Sequence, residues 1–292
     1  MEAKKLLFFL GCVIPYRELS YELSARKVLQ KLEVELVEMP EFNCCGLPID
    51  AVSHEMMVLL AARNLALAEK ENMNILTLCP GCAGTLKKVS KMLKEDKILN
   101  ENVNKILDES GLNFKGTVQT KHLIQFLIED IGIEQIKKKI VKQLNSLKVV
   151  EHNGCHLSRP RNSTLFDEPE DPKTLKTLIE LTGAKVLDYF DETECCGSAS
   201  IGINDKIALN LIREKLEHIK QVGAQAMITV CPNCHTTYDT NERRVEKMFE
   251  ETFDIPILHY TQLLGLALGI KNEELAFNEL RISPNIFVNK VN

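Results

Sequence analysis

The sequence predicts an α/β protein with parallel sheets, made of two pseudo-symmetric halves related by internal duplication. Three observations carry this reading. The ten cysteines fall into two copies of one five-cysteine pattern. Short apolar runs alternate with helical stretches in the same order in each half, as parallel α/β layers require. The cysteines sit just past the ends of those runs, and open α/β sheets place their ligand sites past strand C-termini.

The first set is Cys12, Cys44-Cys45-Gly46 and Cys79-Pro80-Gly81-Cys82; the second is Cys155, Cys195-Cys196-Gly197 and Cys231-Pro232-Asn233-Cys234. In the first set 31 residues separate Cys12 from Cys44, and 33 separate Cys45 from Cys79. The second set has 39 and 34 at the same places. The repeat extends past the thiols. Phe9-Leu10-Gly11-Cys12 matches His152-Asn153-Gly154-Cys155, and His122-x-x-Gln125 matches His259-x-x-Gln262. The boundary between the copies is expected near Gln143–Leu147, which gives domains 1–145 and 146–292.

Each half reads in the same order. An apolar run, Leu6–Leu10 or Lys148–His152, leads into the first cysteine as a buried strand. A helical pattern follows over Glu22–Lys31 or Pro172–Leu181. A second strand, Val34–Met39 or Lys185–Tyr189, precedes the Cys-Cys-Gly. A long helix covers His54–Glu69 or Lys206–Gln221. A third strand, Ile75–Leu78 or Ala226–Val230, ends at the Cys-Pro-x-Cys. The His-x-x-Gln pairs open apolar helical stretches late in each half. This order is that of a Rossmann-like layered domain, used twice.

Composition narrows the function classes. The 292 residues are 45% hydrophobic and 26% charged, ordinary for a globular chain of two domains. The net charge of −5 supplies no basic face for nucleic acid. No apolar segment reaches the roughly 18 residues of a membrane span, and the Leu6–Leu10 run is too short for a secretory h-region. The expected location is therefore the cytoplasm. In that reducing compartment, ten cysteines point to metal or catalytic thiols rather than structural disulfides.

Iron–sulfur clusters are held by thiolates, and Cys-x-x-Cys loops are a usual supply. Pro80 and Pro232 stiffen those loops, and the glycine after each Cys-Cys permits close backbone approach. Vicinal cysteines in extended backbone point to opposite sides, which suits different irons of one cluster. Five thiolates per half exceed the four of a cubane site. Three other readings compete: structural zinc on four of the five thiols, a vicinal redox pair or disulfides without metal, and inert buried cysteines. The last gives no reason for the repeated spacing.

The pattern Cys-x31-Cys-Cys-Gly-x32-Cys-Pro-Gly-Cys resembles the cysteine-rich CCG domain. Tandem CCG domains occur in the B subunit of heterodisulfide reductase from methanogens, and in iron–sulfur subunits of glycolate oxidase, lactate-utilisation proteins and thiol:fumarate reductase. The stretches Glu41-Phe42-Asn43-Cys44-Cys45-Gly46-Leu47-Pro48 and His152-x-Gly154-Cys155-His156-Leu157-Ser158-Arg159-Pro160 resemble the heterodisulfide reductase member in particular. So does the lack of a ferredoxin-type cysteine run. The resemblance implies two noncubane 4Fe–4S clusters, each held by five cysteines: Cys12, Cys44, Cys45, Cys79 and Cys82, then Cys155, Cys195, Cys196, Cys231 and Cys234. It implies that the mixed disulfide of coenzyme M and coenzyme B binds between them in methanogenesis, each cluster supplying one electron and capturing one sulfur. Electrons would come from the iron–sulfur and flavin subunits of the same complex, with a hydrogenase or formate dehydrogenase beyond. The alternative is an iron–sulfur electron-transfer subunit of a 2-hydroxy-acid (lactate or glycolate) or thiol:fumarate oxidoreductase.

That disulfide carries a sulfonate and a phosphate, so its site should offer cations or helix N-termini. His156, Arg159 and Arg161 follow Cys155, and Arg17 follows Cys12 at a matching distance; the competing reading is solvent-facing loop residues. His122 and His259 recur in both halves as substrate contacts or proton donors, against helix capping or core hydrogen bonding. His235, next to Cys234, is a candidate to bond a cluster sulfur. Residues 161–172 form the longer gap of the second set and are expected to be an added surface loop.

Overall fold

The structure is a computed structural model that describes residues 4–164 and 166–284. Residues 1–3 and 285–292, the outer ends of the two expected domains, and residue 165 of the added loop lie outside the described residues.

In the first half the elements are β1 (Lys4–Phe9), α1 (Ile14–Arg17), α2 (Leu19–Lys31), β2 (Val34–Val37), α3 (His54–Lys70), β3 (Ile75–Thr77), α4 (Pro80–Glu95), α5 (Lys97–Asp108), β4 (Thr120–His122), α6 (Leu123–Phe126) and α7 (Ile133–Lys139). In the second they are β5 (Lys148–His152), α8 (Arg161–Thr164), α9 (Thr174–Leu181), β6 (Lys185–Val186), α10 (Asp205–Gln221), β7 (Met227–Thr229), α11 (Pro232–Phe249), β8 (Ile257–His259) and α12 (Tyr260–Ala267). The sheet orders are β2-β1-β3-β4 and β6-β5-β7-β8, and every pairing is parallel.

Two identical sheet orders, each flanked by helices, show the duplicated parallel architecture that the sequence predicts. Register confirms the equivalence: Phe9 lies beside Thr77 as His152 lies beside Thr229. The fourth strand of each sheet is not anticipated. Thr120–His122 and Ile257–His259 are only three residues long, too short for a period-2 pattern to show. The expected strand Lys185–Tyr189 pairs over only Lys185–Val186, because the chain turns away toward the cysteines.

The local causes are ordinary. Ser53 and Asn204 cap α3 and α10 by accepting from the backbone N–H three residues on. Pro80 and Pro232 stand at the first turn of α4 and α11, where the missing N–H is not needed. The strand centres are apolar and buried; Leu7, Phe9, Val149, Val150, Leu76 and Ile228 are at most 1% exposed. One hydrophobic core runs through both halves, joining Leu7 and Leu76 of one to Leu258 and Leu264 of the other.

A polar seam lies between the halves. Tyr21 Oη donates to Val230 O at 3.1 Å, Ser24 meets Thr261 at 2.7 Å, and His122 Nε2 bridges Leu78 O at 3.0 Å and Val230 O at 3.2 Å. The ends of β3 and β7, just before Cys79 and Cys231, are thereby tied to each other.

Candidate metal centres

Each cysteine set gathers at the C-terminal edge of its sheet. In both sheets the chain leaves the first strand toward one side and returns on the other, so the switch point lies between β1 and β3, and between β5 and β7. Cys12 follows β1 and Cys79 follows β3; Cys155 and Cys231 follow β5 and β7. The vicinal pairs reach in on the loops before α3 and α10.

The thiols converge in both halves. Cys12 Sγ and Cys44 Sγ are 3.6 Å apart. The backbone N–H groups of Gly46 and Gly197 point at Cys44 Sγ and Cys195 Sγ, at 3.4 and 3.5 Å. Gly11 and Gly154 have φ near +70°, and a Cβ there would meet Cys82 Sγ at 2.9 Å or the Cys231 Cβ at 2.8 Å. Glycine is required at both by handedness and by the approach of the sulfurs.

Proton competition shows how crowded the thiols are. Hydrogen bonding from Cys12 holds Cys44 down at about 2, while Cys44 pushes Cys45 up to about 12. Cys195 pushes Cys196 up to about 12 in the same way. Only some of the thiols can ionise together at this spacing; deprotonating all five would require a compensating cation, which a metal cluster supplies. In the second set three buried polar atoms beside the cysteines have no hydrogen-bond partner: both ring nitrogens of His152 and the hydroxyl of Tyr238. His152 is 2% exposed and Tyr238 fully buried. A His152 nitrogen, Cys196 Sγ and Cys234 Sγ all lie within 4.8 Å of one another. Unsatisfied groups of this kind are costly, and cluster sulfides and thiolates would be acceptors for them. The donor set therefore fits an iron–sulfur group.

The two Cys-Pro-x-Cys loops differ for a steric reason. A Cβ on Gly81 would lie 2.8 Å from Leu47 Cδ2. The residue equivalent to Leu47 is Ser198, whose smaller side chain leaves room for Asn233. Asn233 and Ser198 then help line a cleft of about 510 Å³, with Cys12, Tyr16, Arg17 and Arg244. This cleft lies between the halves and reaches the exposed Cys12. A separate cavity of about 490 Å³, lined by Lys87, Lys91, Lys121 and Gln125, includes no cysteine.

The other predicted residues are placed unevenly. Arg17 is exposed and lines the Cys12 cleft. Arg159 is drawn onto backbone, donating to Pro169 O at 2.9 Å, and Arg161 pairs with Glu168 at 2.6 Å. His156 is exposed beside Cys155. Residues 161–164 of the added loop form α8 and dock on α4, with Lys91 Nζ donating to Asn162 O at 3.1 Å.

Substrate contact at His122 and His259 is not met. His122 is 1% exposed and caps α6, its Nδ1 accepting from Ile124 N–H. His259 is fully buried at the start of α12, where Gln262 Oε1 accepts from its backbone N–H. His235 does not reach a sulfur either: its Nε2 donates to Ile257 O at 3.0 Å and its Nδ1 meets Glu18 at 2.7 Å. Both second-half histidines converge on Glu18, which also accepts from Thr236 Oγ1. Burial works against ionisation of Glu18, but the two histidines outweigh it and hold the carboxyl at about 2. Sequence patterns do not single out Glu18, Tyr21, His152 or Tyr238. The one available signal for His152 is its mismatch with Phe9 inside an otherwise matched repeat.

A duplicated parallel fold with a five-thiol nest at each switch point defines an iron–sulfur protein built of two cysteine-rich domains. The chain belongs to the cysteine-rich CCG domain family, whose model matches residues 6–87 and 149–239. It is 37% identical, over 98% of its own length and 97% of the relative's, to the B subunit of ferredoxin/F420H2-dependent CoB–CoM heterodisulfide reductase of Methanosarcina acetivorans. It is 29% identical to the 8-methylmenaquinol:fumarate reductase membrane anchor subunit of Wolinella succinogenes, over 94% of this chain and 96% of that one. A crystal structure of a hypothetical protein from Helicobacter pylori shares the fold, with a TM-score of 0.77 at 14% identity, over 96% of this chain and 52% of that chain. The chain is thus an iron–sulfur subunit of the oxidoreductase type. Among the described residues no helix is long and apolar enough to cross a membrane.

Proposed function

We propose that this protein is the catalytic subunit of a CoB–CoM heterodisulfide reductase, splitting the mixed disulfide into two thiols. The observation that carries the reading is the cleft between the halves, where Cys12 of one set and Asn233 of the other set's loop share a wall with Arg17 and Arg244. A disulfide whose ends carry a sulfonate and a phosphate matches two cations flanking a thiol nest. Arg244 is held in place by Asp205 at 2.8 Å and by Asn241, whereas Arg17 is exposed and can follow the ligand.

The balance is simple: one S–S bond breaks, two electrons and two protons enter, and two thiols leave. When bound, noncubane 4Fe–4S clusters on the two five-cysteine sets supply the electrons. The chain's own residues hold the anionic ends and orient the S–S bond toward the sulfurs. With all ten cysteines assigned to these two sites, the reading calls for an electron-delivering partner, and the resemblance to heterodisulfide reductase implies that it carries iron–sulfur groups and, beyond them, a flavin. Exposed apolar side chains stand beside the cysteine loops of both halves: Val52 is 88% exposed and Ile203 85%. Such residues suit a docking partner. We place the assembly in the cytoplasm.

The test uses protein prepared without oxygen together with its partner subunit. Reduced viologen should be oxidised on addition of the coenzyme M–coenzyme B disulfide, with two thiols formed per disulfide. Clustered protein that leaves the disulfide intact would overturn the reading. A second reading, the iron–sulfur subunit of a fumarate-reducing complex, is favoured by the 29% identical Wolinella relative. It predicts dye oxidation only when fumarate and a flavin partner are present.

A further inference from the structure

The two thiol nests are built alike but surrounded differently. Beside the first set stand Phe9, at the end of β1, and Leu86, four residues after Cys82. Both are fully buried and apolar, and Phe9 packs edge-on against Phe42 with ring centroids 5.0 Å apart. Beside the second set the equivalent positions hold His152 and Tyr238. Their rings meet edge-on at 5.3 Å, and neither the His152 nitrogens nor the Tyr238 hydroxyl has a partner in the protein. The same register, Phe9 beside Thr77 and His152 beside Thr229, makes this a substitution of character at one place in the fold.

Polar hydrogens matter at such a site. Adding an electron increases the negative charge on the sulfurs of an iron–sulfur group, and a donor aimed at those sulfurs stabilises the reduced form. An apolar neighbour gives no such help. Burial strengthens the effect, because a dipole in a low-dielectric pocket is not screened by water. The buried Lys215 ammonium acts in the same direction, where Asn64 stands in the first half; nearby Asp191 partly offsets it, 4.0 Å away.

We propose that His152 donates a ring N–H to the sulfurs of the second site, assisted by the Tyr238 hydroxyl, and so makes this site the more easily reduced of the two. His152 is a positioning and tuning residue, not an iron ligand. The inference rests on the reading that both cysteine sets hold iron–sulfur clusters. It does not depend on which substrate is reduced.

The experiment is a redox titration of the anaerobic, fully loaded protein, followed by electron paramagnetic resonance. Iron and sulfide are assayed on the same samples, so a failure of the cluster reading shows there first. The wild type should give two reduction steps. His152→Phe, which copies the first half, should move only the higher step downward, by a factor of ten or more in its reduction equilibrium, about 59 mV for one electron. His152→Gln, which keeps an N–H donor, should recover most of that change. Tyr238→Phe removes one oxygen and should give a smaller shift of the same step and sign. That variant keeps the test alive if His152→Phe does not fold. The proposal is overturned if both steps stay in place, if the lower step moves instead, or if His152→Phe loses the iron of one site while Cys-bound iron at the other is kept.

Discussion

The Glu18 carboxylate of the first half meets the His235 ring of the second at 2.7 Å, with both side chains at most 4% exposed. His259 closes on the same oxygen at 2.9 Å, and its ring stacks on Tyr21 at 3.9 Å. Breaking a buried pair by removing one partner leaves an uncompensated charge, which costs roughly 3–5 kcal/mol. Glu18→Ala is expected to lower the unfolding midpoint of both halves together, read by chemical denaturation. Loss confined to one half would mean the seam carries no coupling.

A serine at Cys44 or Cys196 removes one thiolate from one nest only. Either variant should lose iron and sulfide from its own half and leave the other loaded, seen as about half the metal of a protein with two 4Fe–4S groups. Equal loss from both halves would count against two separate centres.

Gly11→Ala places a methyl 2.9 Å from Cys82 Sγ at a φ of +68°. The left-handed backbone alone costs on the order of 1 kcal/mol, and the sulfur must also move. The expected result is a folded protein that takes up iron poorly at the first site, measured by metal analysis after reconstitution. Gly132→Ala, with open space around its Cβ, should lose only backbone energy and keep its iron.

Burial pushes the Glu242 carboxyl up to about 8; Oε1 accepts from Ile255 N–H at 2.9 Å, but Oε2 has no partner. The folded state therefore keeps a proton that the unfolded chain releases near pH 4.5. Between about pH 4.5 and 8 the native state binds more protons, so this group's contribution falls as pH rises and levels off above 8. Glu242→Gln should remove the penalty, gaining on the order of 2 kcal/mol at about pH 8 and little near pH 4.5. Urea unfolding at the two pH values checks it; an equal gain at both would point to packing instead.

Val52→Asp should leave dye-driven turnover near wild type, because Val52 lies on the loop beyond the vicinal cysteines and is 88% exposed. Electron delivery from an iron–sulfur partner should fall ~10-fold or more, as for a charge introduced into an apolar contact. Unchanged partner-driven rates would place docking elsewhere.

Much of this architecture is written in short-range sequence. The thiol spacing gives the repeat, and the apolar runs with their caps give β1, β3, α3 and their counterparts, because burial and capping act locally. What is not legible depends on contacts between distant segments. Glu18 looks like a helix-start carboxylate until it is seen against His235, 217 positions later. His122 and His259 stand out as a repeated pair, yet their repetition reflects helix starts at a shared seam. The arginines after Cys155 are spent on Pro169 and Glu168, residues of the added loop whose path no periodicity reveals.

The seam also fixes which halves can associate. His235 stands where the first copy has Ala83, each one residue after the last cysteine of its set. Two first halves brought together in the same way would set Glu18 against a methyl group. The buried Glu18–His235 contact can form only between a first half and a second half, so fragments made separately should reassemble as a mixed pair.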